Sequence, residues 1–138
     1  MNETKEERAK EQAKAQYESI REMVEAMKMA NAGELRHSEW KTEDDVRQAI
    51  QEDPLEVSVR SGWYAPGSGP DSAPVEYKIL LCTGGPAVRI VGQLDQYAQP
   101  VSANLQFQDW FTPWIEYDGD DMDENILLAY AGEFYFGE

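Results

Sequence analysis

Apolar residues recur along this chain with two spacings, one helical and one extended. Between Glu3 and Asn31 strong helix formers dominate and proline is absent. The first glycine is Gly33, where a helix C-terminal cap would fall. Ala13, Tyr17, Ile20, Val24 and Met27 follow at intervals of 4, 3, 4 and 3 residues, one stripe of a helix. The segment from Glu3 to Gln16 is nearly all polar. The pattern predicts a helix that packs from Tyr17 to Met29. Residues 1–16 are then a projecting or frayed extension of a single domain at 17–138. Thr42-Glu43-Asp44-Asp45 reads as the start of a second, short helix, with a capping threonine and acids in the first turn. It turns Val46, Ala49 and Ile50 inward and stops at Asp53-Pro54.

The spacing then changes to two. Leu55, Val57 and Val59 alternate with Glu56, Ser58 and Arg60, as in a half-buried strand. Ala65 to Pro74 holds three prolines and two glycines and reads as a loop. From Val75 to Trp114 the chain reads as an antiparallel meander. Val75–Thr83 turns at Gly84-Gly85-Pro86 into Ala87–Leu94, and Asp95–Pro100 turns into a strand carrying Leu105 and Phe107. The apolar runs Ile79-Leu80-Leu81 and Ile90-Val91 predict central strands covered on both faces. Pro113 cannot donate to a ladder, so the sheet ends or reaches an edge there. Met122 to Ala131 reads as a short helix behind the turn at Asp118-Gly119-Asp120-Asp121. The tail carries Phe134, Tyr135 and Phe136, which should dock on the body. The fold class is α+β: a long N-terminal helix, a short second helix, a four-stranded antiparallel β-meander and a short C-terminal helix.

Charge narrows the functions. The net charge is −15, unevenly placed. Residues 1–60 hold 10 Lys/Arg against 15 Asp/Glu, while residues 61–138 hold only Lys78 and Arg89 against 12 acids. Such a surface repels nucleic acid and anionic membranes and attracts a basic protein surface. The polar start is unlike a signal peptide, no apolar run approaches a bilayer span, and Cys82 is the single cysteine. These features fit a cytoplasmic protein.

Candidate chemistry is sparse. His37 is the one imidazole, no signature of a nucleophilic serine or cysteine is present, and Cys82 sits in an apolar strand. No catalytic residue is assigned. Asp118 to Glu124 fails as a calcium loop: from Asp118 the third ligand position is Met122, and from Asp121 the required glycine is Ile126. Acids at a helix N-terminus account for the cluster, and no metal or cofactor is assigned. Thr83-Gly84-Gly85-Pro86 has no following helix and no lysine, so it fails as a phosphate loop. The unusual stretch is Asp109-Trp110-Phe111-Thr112-Pro113-Trp114-Ile115-Glu116-Tyr117, because Trp and Tyr are enriched at binding hot spots.

The run Ile79-Leu80-Leu81-Cys82-Thr83-Gly84-Gly85-Pro86-Ala87-Val88-Arg89-Ile90, followed by Gln108-Asp109-Trp110-Phe111-Thr112-Pro113-Trp114, resembles a group of small acidic proteins of bacteria, phages and other mobile elements. The resemblance spans residues 55–117 and implies no mechanism or catalytic residue. It implies an accessory role such as blocking a host defence nuclease.

The expectation is a non-enzymatic, acidic protein-binding module that occludes a basic, nucleic-acid-binding surface of a partner. Its contact residues would be Asp109, Trp110, Trp114, Glu116, Tyr117, Asp118, Asp120, Asp121 and Asp123. Two alternatives stand beside it. One is a small-ligand binder or enzyme, with a site between the 65–74 loop and the polar sheet face of Asn104, Gln106 and Gln108, lined by Arg89, Trp63 or Trp110. The other is a homodimer joined through the N-terminal helix.

Overall fold

A computed structural model describes residues 4–37, 39–61, 63, 65–67, 74–84, 86–109 and 112–136. Helix α1 spans Lys5–Asn31, capped by Thr4, whose side chain accepts the Glu7 N–H at 3.0 Å. Beyond it Gly33 takes φ 73°, a left-handed turn that glycine enters without strain. Helix α2 spans Glu43–Glu52 and opens on a reciprocal capping box between Thr42 and Asp45. Helix α3, Glu124–Ala131, is capped by Asp123.

The sheet has five strands: β1 Glu56–Ser61, β2 Pro74–Cys82, β3 Ala87–Gln93, β4 Asn104–Gln108 and β5 Ile115–Glu116. Its order is β1-β2-β3-β4-β5 and every pairing is antiparallel. The meander of four strands is therefore extended by a two-residue β5. It resumes the ladder beyond Pro113, pairing Glu116 with Gln106 and Ile115 with Phe107.

Register sorts the side chains. Val57 lies opposite Ile79, Ile79 opposite Ile90, and Ile90 opposite Leu105, so one face of the sheet carries a continuous apolar row. Helix α1 lies across this face at β3 and β4, and α2 and α3 both pack on α1. Tyr130 donates to Asp53 at 2.7 Å and ties α3 to the end of α2. The buried apolar residues described, Ala87 apart, form one cluster running from Ala9 to Phe136.

Four expectations change. First, Ala9 and Ala13 are fully buried in the core, so α1 packs from its second turn and residues 9–16 do not project. Small side chains let the helix axis approach the sheet closely, which a polar reading of 1–16 overlooks. Second, helices cover only one face of the central strands. The opposite face carries Lys78, Leu80, Arg89 and Val91, with Leu80 and Val91 half-buried. Third, β1 is not half-buried: Val57 and Val59, on the helix side, are 38% and 48% exposed. The helical layer stops short of this edge, and the last cover is Phe136, packed on Tyr77 of β2 with ring centroids 4.8 Å apart. Fourth, two of the three tail aromatics dock, Phe134 on Tyr130 and Phe136 on Tyr77, while Tyr135 stays exposed.

Gly92 shows how closely β3 and the following segment meet. A Cβ there would lie 2.0 Å from the Ser102 carbonyl oxygen and 2.7 Å from the Tyr77 ring. The Tyr77 hydroxyl donates to that same carbonyl at 2.7 Å. No helix among the described residues is long and apolar enough to cross a membrane.

Candidate functional site

The residues expected to form one surface divide into two groups, because β5 alternates like any strand. Glu116 points to the open face of the sheet, while Tyr117, the next residue, is buried on the helix side. Trp110 lies outside the described residues.

The first group is Asp109, Trp114 and Glu116. Asp109 is buried at the end of β4. Its N–H donates to Thr112 Oγ1, the Thr112 hydroxyl donates to the Asp109 carbonyl, and Gln108 Nε2 donates to the Thr112 carbonyl. These bonds close the loop that leads to Trp114. Trp114 is half-buried beneath the Arg89 guanidinium, which sits 4.0 Å from its ring centroid. Stacking on an aromatic face suits a planar cation. Arg89 Nε also donates to Gln106 Oε1 at 2.8 Å, and partial burial lowers the arginine's pKa.

Around Arg89 the open face gathers Glu56 and Arg60 of β1 and Glu76 and Lys78 of β2. Arg60 and Glu76 form an ion pair. Two grooves cross this face. One, of about 510 Å³, runs along Arg60, Lys78 and Arg89; the other, of about 630 Å³, runs between Lys78, Arg89, Asp109 and Trp114. Asn104, Gln106 and Gln108, expected with Arg89 to form a ligand site, share this face, but of the four only Arg89 and Gln108 line the grooves. Arg60 and Lys78, which were not expected here, reach the same face through the alternation in β1 and β2. Trp63 is fully exposed beyond β1 and lines neither groove, and residues 68–73 lie outside the described residues.

The second group is Tyr117, Asp118, Asp120, Asp121 and Asp123. Tyr117 packs on Tyr17 and donates to Asp121 Oδ1 at 2.9 Å; burial and that neighbouring carboxylate raise its pKa. Asp123 accepts the Asn125 N–H, and its own N–H donates to the Tyr17 hydroxyl, which anchors α3 to α1. Asp118 and Asp120 are exposed, Asp118 within 3.8 Å of Lys10. The turn and α1 enclose a groove of about 560 Å³ lined by Glu7, Glu11, Glu18, Asp120 and Asp121, with Lys10, Lys14 and Arg21 between them. The stretch free of basic residues in sequence is thus not free of them in space. Acids still outnumber cations on this flank.

His37 stacks on Trp40, with centroids 4.3 Å apart, and its Nε2 lies 2.7 Å from Glu22 Oε1. Burial pushes the Cys82 thiol pKa up, which disfavours the thiolate. Among the described residues no group of three or more His, Cys, Asp or Glu is placed to hold a metal ion. No protein-family model matches the chain, and no curated protein or solved structure matches it either.

Proposed function

We propose that this chain is a non-enzymatic protein-binding module whose acidic flank docks on a basic partner surface of the kind that otherwise holds nucleic acid. The observation that carries the reading is the flank itself. Exposed Asp118, Asp120 and Asp123 stand beside Glu7, Glu11 and Glu18 of α1, on two elements locked together by Tyr17, Tyr117 and Asp123. Carboxylates fixed on rigid elements cost little to order on binding. A net charge of −15 steers a basic partner toward them and speeds encounter. The module acts by occlusion: the basic surface it covers is lost to nucleic acid.

The test is capture of partner proteins at low and high salt by the wild-type chain and by a D118N/D120N/D123N variant. Asparagine still caps α3 at position 123, so the fold is kept. The variant is expected to lose the partner at low salt, and salt is expected to release it from the wild type. Equal, salt-insensitive capture by both would remove the flank from the interface.

A second reading is favoured by the cations of the open face. Arg60, Lys78 and Arg89 lie along one groove in a chain that is otherwise acidic, with Trp114 stacked at its side. That set suits a small anionic ligand.

A further inference from the structure

The exposed apolar side chains gather at one edge. Of the eight large hydrophobic residues exposed among the described ones, Leu55, Val57, Val59, Trp63 and Val75 belong to β1 or its immediate surroundings. Val57 and Val59 continue the apolar row of Tyr77 and Ile79 past the end of the helical layer. Beyond them the outer backbone edge of β1 has no neighbour in the sheet among the described residues. Natural edge strands are usually guarded by a proline, a bulge away from the neighbour or an inward-pointing charge. On its helix-side face β1 carries only valine and serine, and the one irregularity in its pairing with β2 falls at Arg60/Ser61, past the regular stretch Glu56–Arg60.

The sequence of β1 says what fits there. Glu56-Val57-Ser58-Val59-Arg60 is complementary to itself when reversed. We propose that β1 pairs antiparallel with β1 of a second copy of this chain, about a two-fold axis at Ser58. Glu56 then lies opposite Arg60 of the second copy, and Val57 opposite Val59, each twice by symmetry. Unlike charges and β-branched pairs directly opposite one another are the favourable cross-strand combinations. Axes at Val57 or Val59 put one of the charges opposite Ser58 and leave Glu56 and Arg60 unmatched. With the axis at Ser58 both helical layers lie on the same side, and Leu55, Val57 and Val59 of the two copies meet between them.

Charge supports the choice of edge. The chain is strongly acidic, yet on β1, β2 and β3 Glu56 and Glu76 face Arg60, Lys78 and Arg89. Two copies meeting at β1 join their least acidic regions and hold their acidic flanks, beyond β5 and along α1, far apart. The stripe of α1 that a helical seam would use is buried within the chain. This pairing does not depend on the acidic-flank reading and leaves that flank free for a different partner.

The experiment is sedimentation of the full chain over a concentration series. The wild type is expected to reach about twice the 15.7 kDa chain mass. Glu56→Arg and Arg60→Glu each place like charges opposite one another twice, and each is expected to raise the dissociation constant about 10-fold or more. Glu56→Arg does so while leaving the Arg60–Glu76 ion pair in place. A one-to-one mixture of the two variants restores unlike charges at both positions, so the mixture is expected to regain the wild-type mass. That rescue separates a seam from a folding defect. The proposal is overturned if the wild type keeps the single-chain mass at every concentration, in which case the edge belongs to a strand of another protein. It is overturned equally if the single variants associate like the wild type, or if the mixture associates no better than its parts.

Discussion

Tyrosines join the layers of this molecule. Tyr130 reaches from α3 to Asp53 at the end of α2, Tyr77 reaches from β2 to the Ser102 carbonyl, and Tyr17 receives the N–H that opens α3. Burial raises the pKa of Tyr77 and Tyr130 well above the ordinary phenol, and the neighbouring Asp53 carboxylate pushes Tyr130 further. The folded state therefore favours the neutral phenols. Their contribution is whole below the unfolded tyrosine pKa of about 10 and is lost as pH rises above it, by up to about 1.4 kcal/mol per pH unit for each. Urea unfolding should show a midpoint that begins to fall as the unfolded Cys82 thiol ionises, above about pH 8.5, and falls more steeply beyond about pH 10, where the tyrosines join. Tyr130→Phe should cost about 1–3 kcal/mol at pH 7, because it removes a hydrogen bond to a carboxylate. It should also flatten the alkaline fall; a midpoint equally steep in variant and wild type would show that Tyr130 does not govern it.

Elements whose signals are local were legible in the sequence. The Thr42 cap, the stop at Asp53-Pro54, the reversal after Thr83 and the alternation in β4 all depend on residues a few positions apart, and each lies where its pattern places it. What depends on distant packing was not legible. Ala9, among polar neighbours, extends the stripe that begins at Ala13, and both are sealed in the core on the inner face of α1 although Glu3 to Gln16 reads as nearly all polar. Ala13→Asp should therefore destabilise the fold by several kcal/mol, since a carboxylate would be buried without a partner. Ala15→Asp, on the exposed side of the same helix, should change stability by no more than about 0.5 kcal/mol. Equal denaturation midpoints for the two variants would return residues 9–16 to solvent. Strand β5, two residues behind a proline, is too short for its alternation to be read, although that alternation divides the candidate surface in two. Nothing within residues 109–123 indicates that Lys10, Lys14 and Arg21 come to lie beside their acids.

At the scale of the molecule the sheet has two unlike edges. The β5 edge leads into the acidic turn braced by α1, and the β1 edge is apolar, nearly charge-balanced and without a covering strand among the described residues. Catalytic groups do not converge in either place among the described residues: His37 is held by Glu22 and Trp40, and Cys82 sits in the wall of the core. In the proposed reading the acidic flank is the surface whose charge reaches a partner first. Occlusion makes a demand that simple association does not. A partner retained by the flank at low salt can be loaded with a short labelled DNA duplex and titrated with this chain while fluorescence anisotropy is followed. If the flank covers the nucleic-acid surface, anisotropy falls to that of free duplex as the chain is added, and D118N/D120N/D123N fails to displace it. If the chain binds and the duplex stays on the partner, the flank does not occlude, and the proposed mode of action is wrong.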